Sequence, residues 1–396
     1  MSPMGTAPTA AAQAGPTGRA AAVAEVIAAE SEAIHRGGRL TPAAHQAMVE
    51  ANLFRTCGPK ALGGDECGLR DAAEIARILG RADMSTGWLF VQANATIYNF
   101  GPRLDPETAA EVYPQPDSVV AAGFPEGEGR ADVVEGGYVV SGRWNFASGC
   151  LHSAWFDARA VVYDRGERLT TRNGLFALMS CLVPRESVTI VDTWDVAGMR
   201  GTGSQTYSTE GAFVPDRRAV PMWAMAAAGP DAFRIPAITF AHVQFAGLAL
   251  GGAEAVYRAF EALARAKTAA QTRSALREQG TTQSALARSH ADLRAASAYL
   301  QWVVDLLTAA AAGEAGVTVA ERAEARLAVT AIMDTALSVA ERLYRVAGTT
   351  GIFASSPLQR SFQDLHVMSQ QLFARPFHYE NVGRFLLGLE HDRGIM

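Results

Sequence analysis

ADVVEGGYVVSGRWNFASGCLHSAW, residues 131–155, decides how the rest of the chain is read. Its first half sets short runs of β-branched and aromatic residues around Gly136-Gly137, a pair suited to the positive φ of a tight hairpin. Runs of the same texture flank it: SVVAAGF before, then AWFDARAVVY, GLFALMSCLV and VTIVDTW, punctuated by glycine or proline. Several strands at this spacing with no helix between them predict a small antiparallel barrel or sandwich. The second half places Ser148, Cys150, His152 and Ser153 within six residues, a grouping that by residue type alone suggests nucleophilic chemistry. No Gly-x-Ser-x-Gly elbow surrounds Ser148, so the strained turn that exposes a serine nucleophile is missing.

On either side of this block the period becomes helical. AAVAEVIAAESEAIHRGG stops at Gly37-Gly38, and TPAAHQAMVEANL follows with Thr41 as N-cap and Pro42 in the first turn. GLRDAAEIARILGRAD, STGWLFVQANATIYNF (opened by Ser85 as cap) and DPETAAEVYP complete an all-helical stretch. From about residue 237 four long helices are predicted, the last over about 362–388, with Ala and Gly frequent on their apolar faces. Short connections between them indicate a four-helix bundle. The expected organisation is a disordered tail (1–19), a helical domain (20–117), a β-barrel domain (118–222) and the bundle (223–396), an α+β fold that is mainly α.

Composition narrows the function. A net charge of −5 argues against nucleic-acid or anionic-membrane partners. Lys60 and Lys267 are the only lysines, and neither stands in a P-loop context. The cysteines, Cys57, Cys67, Cys150 and Cys181, form no CxxC pair, and no metal-ligand spacing is present. The first 20 residues lack a basic stretch followed by an apolar one, so no signal peptide is expected and a cytoplasmic location is.

The order helices, small β block, long helices resembles the acyl-CoA dehydrogenase fold. Three motifs carry the resemblance: WNFASGCLHSAW, GMRGTGSQTYSTEGAFVP (198–215) and SPLQRSFQDLHVMSQQL (356–372). They resemble the strand passing the flavin ring, the end of the β domain and the C-terminal stretch that closes the site. True dehydrogenases of this family use a carboxylate base to remove a proton α to a thioester. Leu372 stands about where that glutamate would be, and leucine cannot ionise. W-x-F-x-S-G and R-G-T-G-S are closer to the two-component flavin monooxygenases. That branch implies reduced FMN or FAD from a separate NAD(P)H-dependent reductase, O2, a flavin C4a-hydroperoxide and hydroxylation of an aromatic, amine or natural-product-like small molecule. It also implies a homotetramer. GTGSQT (201–206) is no nicotinamide fingerprint, lacking the third glycine and the strand-to-helix setting. The alternatives are a dehydrogenase or desaturase with its base elsewhere, and a non-catalytic binding protein on the same fold.

The resemblance places Ser148 at the flavin edge as a hydrogen-bonding group. By the period of two, Trp144 and Phe146 share its strand face, against the ring or as core. Arg200, Thr202, Gly203 and Ser204 form a second wall, with Ser204 expected to bond pyrimidine oxygens; the alternative is a turn that closes the barrel. Arg273, Arg277 and Gln283 resemble the loop that reaches a neighbouring subunit's cofactor. Trp88 and Gln92 are candidate substrate contacts. Many hydroxylases of this type read Arg-Asp-x-His-x-x-x-x-His near the C-terminus; this chain has Gln363, Asp364, His366 and Gln371. On the C-terminal helix 366 and 371 point roughly 140° apart, so His366 cannot simply replace a base at 371. Gln371 can then orient substrate without taking a proton. His366 and His152 remain as candidate acid–base groups, with a loop histidine the alternative for His152.

Overall fold

The computed structural model describes residues 15–171, 174, 176–222, 233–267 and 275–392. Most of the predicted tail lies outside the described residues. Its last part is helical: α1 (Pro16–Gly37) begins with Pro16 in its first turn and ends at Gly38 in the left-handed region. α2 (Pro42–Glu50) is capped by Thr41, whose hydroxyl accepts from the Ala44 N–H. α3 (Leu69–Ala82) leads directly into α4 (Met84–Phe100). The cap of α4 is Asp83 rather than Ser85, because the Asp83 carboxylate accepts the Thr86 N–H at 2.8 Å. α5 (Pro106–Val112) closes this section, capped by Asp105.

Strands β1 (Val120–Ala122), β2 (Phe124–Pro125), β3 (Arg130–Val134), β4 (Gly137–Ala147) and β5 (Trp155–Asp164) come next. They are followed by β6 (Glu167–Arg168), β7 (Leu178–Pro184), β8 (Thr189–Val191), β9 (Gln205–Pro215) and β10 (Ala219–Pro221). The main path runs β10-β7-β5-β3-β4-β9-β8. The sheet is mixed, not wholly antiparallel as expected: β5 pairs in parallel with both β1 and β3. In the β3–β4 hairpin Val134 pairs with Gly137, and only Gly136 takes positive φ, at 77°.

The helical part holds α6 (Ala237–Ala266), α7 (Gly280–Ala312), α8 (Val319–Ala347), α9 (Pro357–Met368) and α10 (Phe377–Leu386). The predicted fourth bundle helix is therefore two short ones with a 3-10 turn, Leu372–Ala374, between them. α6 is buried along most of its length and lies against α3. A side chain at Gly247 or Gly251 would come within 3.0 Å of the Ala73 or Arg77 carbonyl oxygen, so this approach requires the small residues seen in the sequence. α7 is long and apolar enough by composition to cross a membrane, yet it packs on α6 and α8.

Candidate active site

A cavity of about 1160 Å³ opens where α4, the sheet, the start of α6 and the turn after α9 converge. α4 contributes Trp88, Gln92 and Asn99, and the β4–β5 connection contributes Ser148. The loop before β9 adds Trp194, Met199, Thr202 and Ser204. A ladder of rings forms one wall: Trp88 lies 4.8 Å from Phe245, and Phe245 lies 5.5 Å from Phe373.

At the inner end four side chains are linked. Trp88 Nε1 donates to Ser148 Oγ at 2.9 Å, and Ser148 and Ser204 hydroxyls are 2.7 Å apart. Ser204 is 2.7 Å from Thr202, which donates to the Met199 carbonyl at 2.8 Å. Trp194 Nε1 also donates to that carbonyl. Met199 has φ 54°, unusual for a residue with a long side chain. Its N–H is held by the Asp364 carboxylate of α9. Burial foremost, then the neighbouring Asp83 charge, pushes Asp364 up to about 7.

The period-two expectation fails at the end of β4. Pairing with β9 slips between Trp144 and Ala147, and Phe146 has φ 61°. The bulge sends neighbouring side chains to different places. Trp144 is wholly buried, stacked on Tyr207 with Nε1 donating to the Arg159 carbonyl, and does not border the cavity. Phe146 is 58% exposed and does border it, edge-on to Trp194 at 6.2 Å.

Both candidate histidines lie away from the cavity. His152 stacks on His45 at 4.8 Å, and burial first, then His45 and Arg39, lowers it to about 4. His366 donates from Nδ1 to the Phe362 carbonyl, and its Nε2 is 3.5 Å from Glu341. α9 ends at Met368, so the helical angle between 366 and 371 does not apply. Gln371 borders the cavity and caps the following turn, its Oε1 accepting the Phe373 N–H at 2.8 Å.

Arg200 is a tie to α1, donating to the carbonyls of His35 and Val196, and Gly203 packs beside Leu151 and Gly38; neither borders the cavity. Arg277 and Gln283 are exposed and bonded to each other, likewise outside it. Arg273 lies outside the described residues. Residue type and spacing singled out neither Met199 nor the arginines that border the cavity: Arg103, Arg159, Arg234, Arg322 and Arg375.

Residues 243–376 match the family described as acyl-CoA dehydrogenase, C-terminal domain. A pigment production hydroxylase from a Rhodococcus species is 30% identical over 357 residues, covering 86% of this chain and 88% of that protein. The chain belongs to the two-component flavin-dependent monooxygenases of the acyl-CoA dehydrogenase superfamily. This monooxygenase is also 29% identical to the oxygenase subunit HsaA of Rhodococcus jostii, over 81% of this chain and 84% of the other. XiaF from a Streptomyces species, solved with FADH2 and glycerol, superposes with a TM-score of 0.85 at 24% identity, over 95% of each chain. The monooxygenase is an oxygenase component that uses reduced FMN or FAD and O2 and works with a separate flavin reductase. The residues present fit a flavin. The cavity has room for a tricyclic ring beside a substrate, with Phe146 and Trp194, set at right angles to one another, as aromatic contacts and a row of hydroxyls beside them.

Proposed function

We propose that the monooxygenase hydroxylates an aromatic ring carrying an anionic group, and that no side chain of the cavity acts as a base in the oxygen transfer. One observation carries this reading. The wall combines a ladder of rings with five arginines, and among the described residues no Asp, Glu, His or Lys borders it. Bound reduced flavin, with O2, supplies the oxygen atom that is transferred, the second oxygen leaving as water. The protein's part is to hold and to exclude. Trp88, Phe245 and Phe373 offer faces to a flat substrate and keep water from the reacting atoms. Gln371 holds its carbonyl end on the Phe373 N–H, which leaves its –NH2 to donate to a substrate oxygen. Without a base on the wall, the ring attacked must be electron-rich as it arrives.

Arginines suit carboxylates and phosphates equally, so substrate and flavin both draw on them. Arg159 is already engaged by Asp157. Arg103 has a buried Nε with no partner among the described residues, and burial disfavours its charge, so an incoming anion would stabilise it. Indole-3-acetate against 3-methylindole, with excess reduced FMN under O2, tests the reading. The acid should give product at a KM at least tenfold lower, and Arg103→Met should remove most of that difference. Equal KM values would refute the anionic substrate. A variant that weakens FMN but neither riboflavin nor the acid would assign Arg103 to the flavin phosphate.

We further read the assembly as a homotetramer in the cytoplasm. Arg277 and Gln283 are exposed and away from this chain's cavity, where a neighbour's cofactor is the ligand they suit. The four cysteines are buried free thiols, as a reducing compartment would keep them.

A further inference from the structure

Met199 joins the cavity wall to α9. Its carbonyl takes three donors: the Thr202 N–H at 3.2 Å, the Thr202 hydroxyl at 2.8 Å and Trp194 Nε1 at 3.2 Å. Thr202 and Trp194 both border the cavity, and Thr202 continues through Ser204 and Ser148 to Trp88 on α4. The N–H of Met199 goes elsewhere, to the Asp364 carboxyl of α9. Asp364 is 5% exposed and does not border the cavity. Between these two attachments Met199 has φ 54° and ψ 27°, the left-handed region in which Cβ crowds the following carbonyl. A relaxed Met199 would turn its carbonyl away from Thr202 and Trp194, because φ and ψ set the directions of N–H and C=O together. The contact with α9 leaves no room to slide: a Cβ at Gly198 would fall 2.4 Å from the carbonyl carbon and oxygen of Gln363. Asp364 therefore meets the Met199 N–H at a fixed place.

We propose that Asp364 is a positioning residue for the oxygenase: from outside the cavity it holds the Met199 peptide, and through that peptide the places of Trp194 and Thr202 in the wall. The inference rests on the flavin reading of the cavity, in which Trp194 is an aromatic contact. The task needs no charge, only an oxygen that accepts. With that oxygen removed, the Met199 N–H is buried without an acceptor, and the left-handed turn loses part of what holds it. The wall then spends part of its time in other arrangements. Flavin binds the ordered one, so its apparent dissociation constant rises as the ordered fraction falls. Glycine at 199 would make the left-handed turn nearly free of cost, and the need for Asp364 would fall with it.

The test is anaerobic titration with dithionite-reduced FMN at pH 6. Burial, then the Asp83 charge, pushes Asp364 up to about 7, so at pH 6 the acid and an Asn in its place are both largely uncharged. Asp364→Ala lacks the acceptor, and so does Asp364→Leu, which fills a similar volume; whichever gives a folded chain serves. Loss of the acceptor should raise the dissociation constant about tenfold, the effect of one buried hydrogen bond removed. Asp364→Asn keeps an oxygen for the Met199 N–H and should stay within about twofold of the wild type. In a Met199→Gly background the same loss of the acceptor should cost about threefold or less, because the two residues act as one unit. An affinity unchanged without the acceptor overturns the proposal, and so does an Asn variant as weak as the Ala or Leu one. A full tenfold loss in the Met199→Gly background also overturns it, since Asp364 would then act by another route. Trp194→Ala checks the reading beneath. If that variant binds reduced FMN as tightly as the wild type, or the wild type binds none, the flavin reading of this wall fails, whatever the Asp364 variants do.

Discussion

Replacing Asp364 by Asn should make the protein more stable at neutral pH and leave it nearly unchanged at mild acid. The carboxyl is pushed from its ordinary 3.8 up to about 7, by burial and then by the charge of Asp83. Asp83 is itself buried and accepts from Thr86 and Ser31, so it cannot move away. Between about pH 4 and 7 the folded chain therefore binds a proton that the unfolded chain releases, and stability falls as pH rises through that window. At pH 5 the group lies about two units below its folded value, worth roughly 3 kcal/mol at 1.36 kcal/mol per unit. By pH 8 that contribution is gone. Asn keeps an oxygen for the Met199 N–H and cannot ionise. Urea unfolding of both proteins at pH 5, 6, 7 and 8 gives the difference directly, and other titrating groups cancel in it. The difference should grow by roughly 3 kcal/mol from pH 5 to 8 in favour of the Asp364→Asn variant. A difference that stays flat, or falls, would refute the reasoning that Asp364 is held protonated by its surroundings.

The His152 ring, lowered to about 4, refuses a proton that the unfolded chain takes below 6.5, so its contribution is present above 6.5 and lost as pH falls. His152→Phe should lower the pH midpoint of acid unfolding and leave flavin affinity alone; a tenfold loss of affinity would return this residue to the active site. A side chain at Gly198 would meet the Gln363 backbone within 3.0 Å, and backbone atoms cannot swing aside as a flexible side chain could. Gly198→Ala should cost about 2 kcal/mol or more by chemical denaturation, and an unaltered unfolding free energy would mean that α9 can shift at no cost. The tenfold preference for indole-3-acetate, and its loss in Arg103→Met, completes the set and is read from steady-state KM values.

The helix, sheet, helix order was legible because hydrophobic periodicity and turn residues are local properties. The cap at Asp83 was missed because Ser85 stands two residues further on and both are good caps; only the close join of α3 to α4 decides between them. The face assignment of Trp144, Phe146 and Ser148 failed because a bulge breaks the period of two, and nothing in W-N-F-A-S announces a positive φ at Phe146. Gln371 lost its place on a helix because α9 stops at Met368 and a short turn follows, a change governed by packing against α8. Motif and helix position singled out Ser148, Thr202, Ser204, Trp88 and Gln92, all of which border the cavity. Their hydrogen-bond order was not legible, since it depends on a carbonyl at Met199 that no side-chain pattern reveals. The arginines of the cavity come from a strand (Arg159), a helix (Arg322) and separate turns and loops, and only the fold brings them round one cavity.

That wall has a kinetic meaning. Reduced flavin released by a reductase has to cross oxygenated water, where it is destroyed, before the oxygenase captures it. The chain carries a net charge of −5, yet the cavity it offers is bordered by Arg103, Arg159, Arg234, Arg322 and Arg375. A cavity bordered by arginines in a negative body focuses the field there, which would draw a phosphate-bearing flavin to it and repel it elsewhere. Capture is then faster than random collision at low salt and slows as ionic strength rises. The fraction of reducing equivalents that reach substrate is set in part by this asymmetry of charge, before any bond is made.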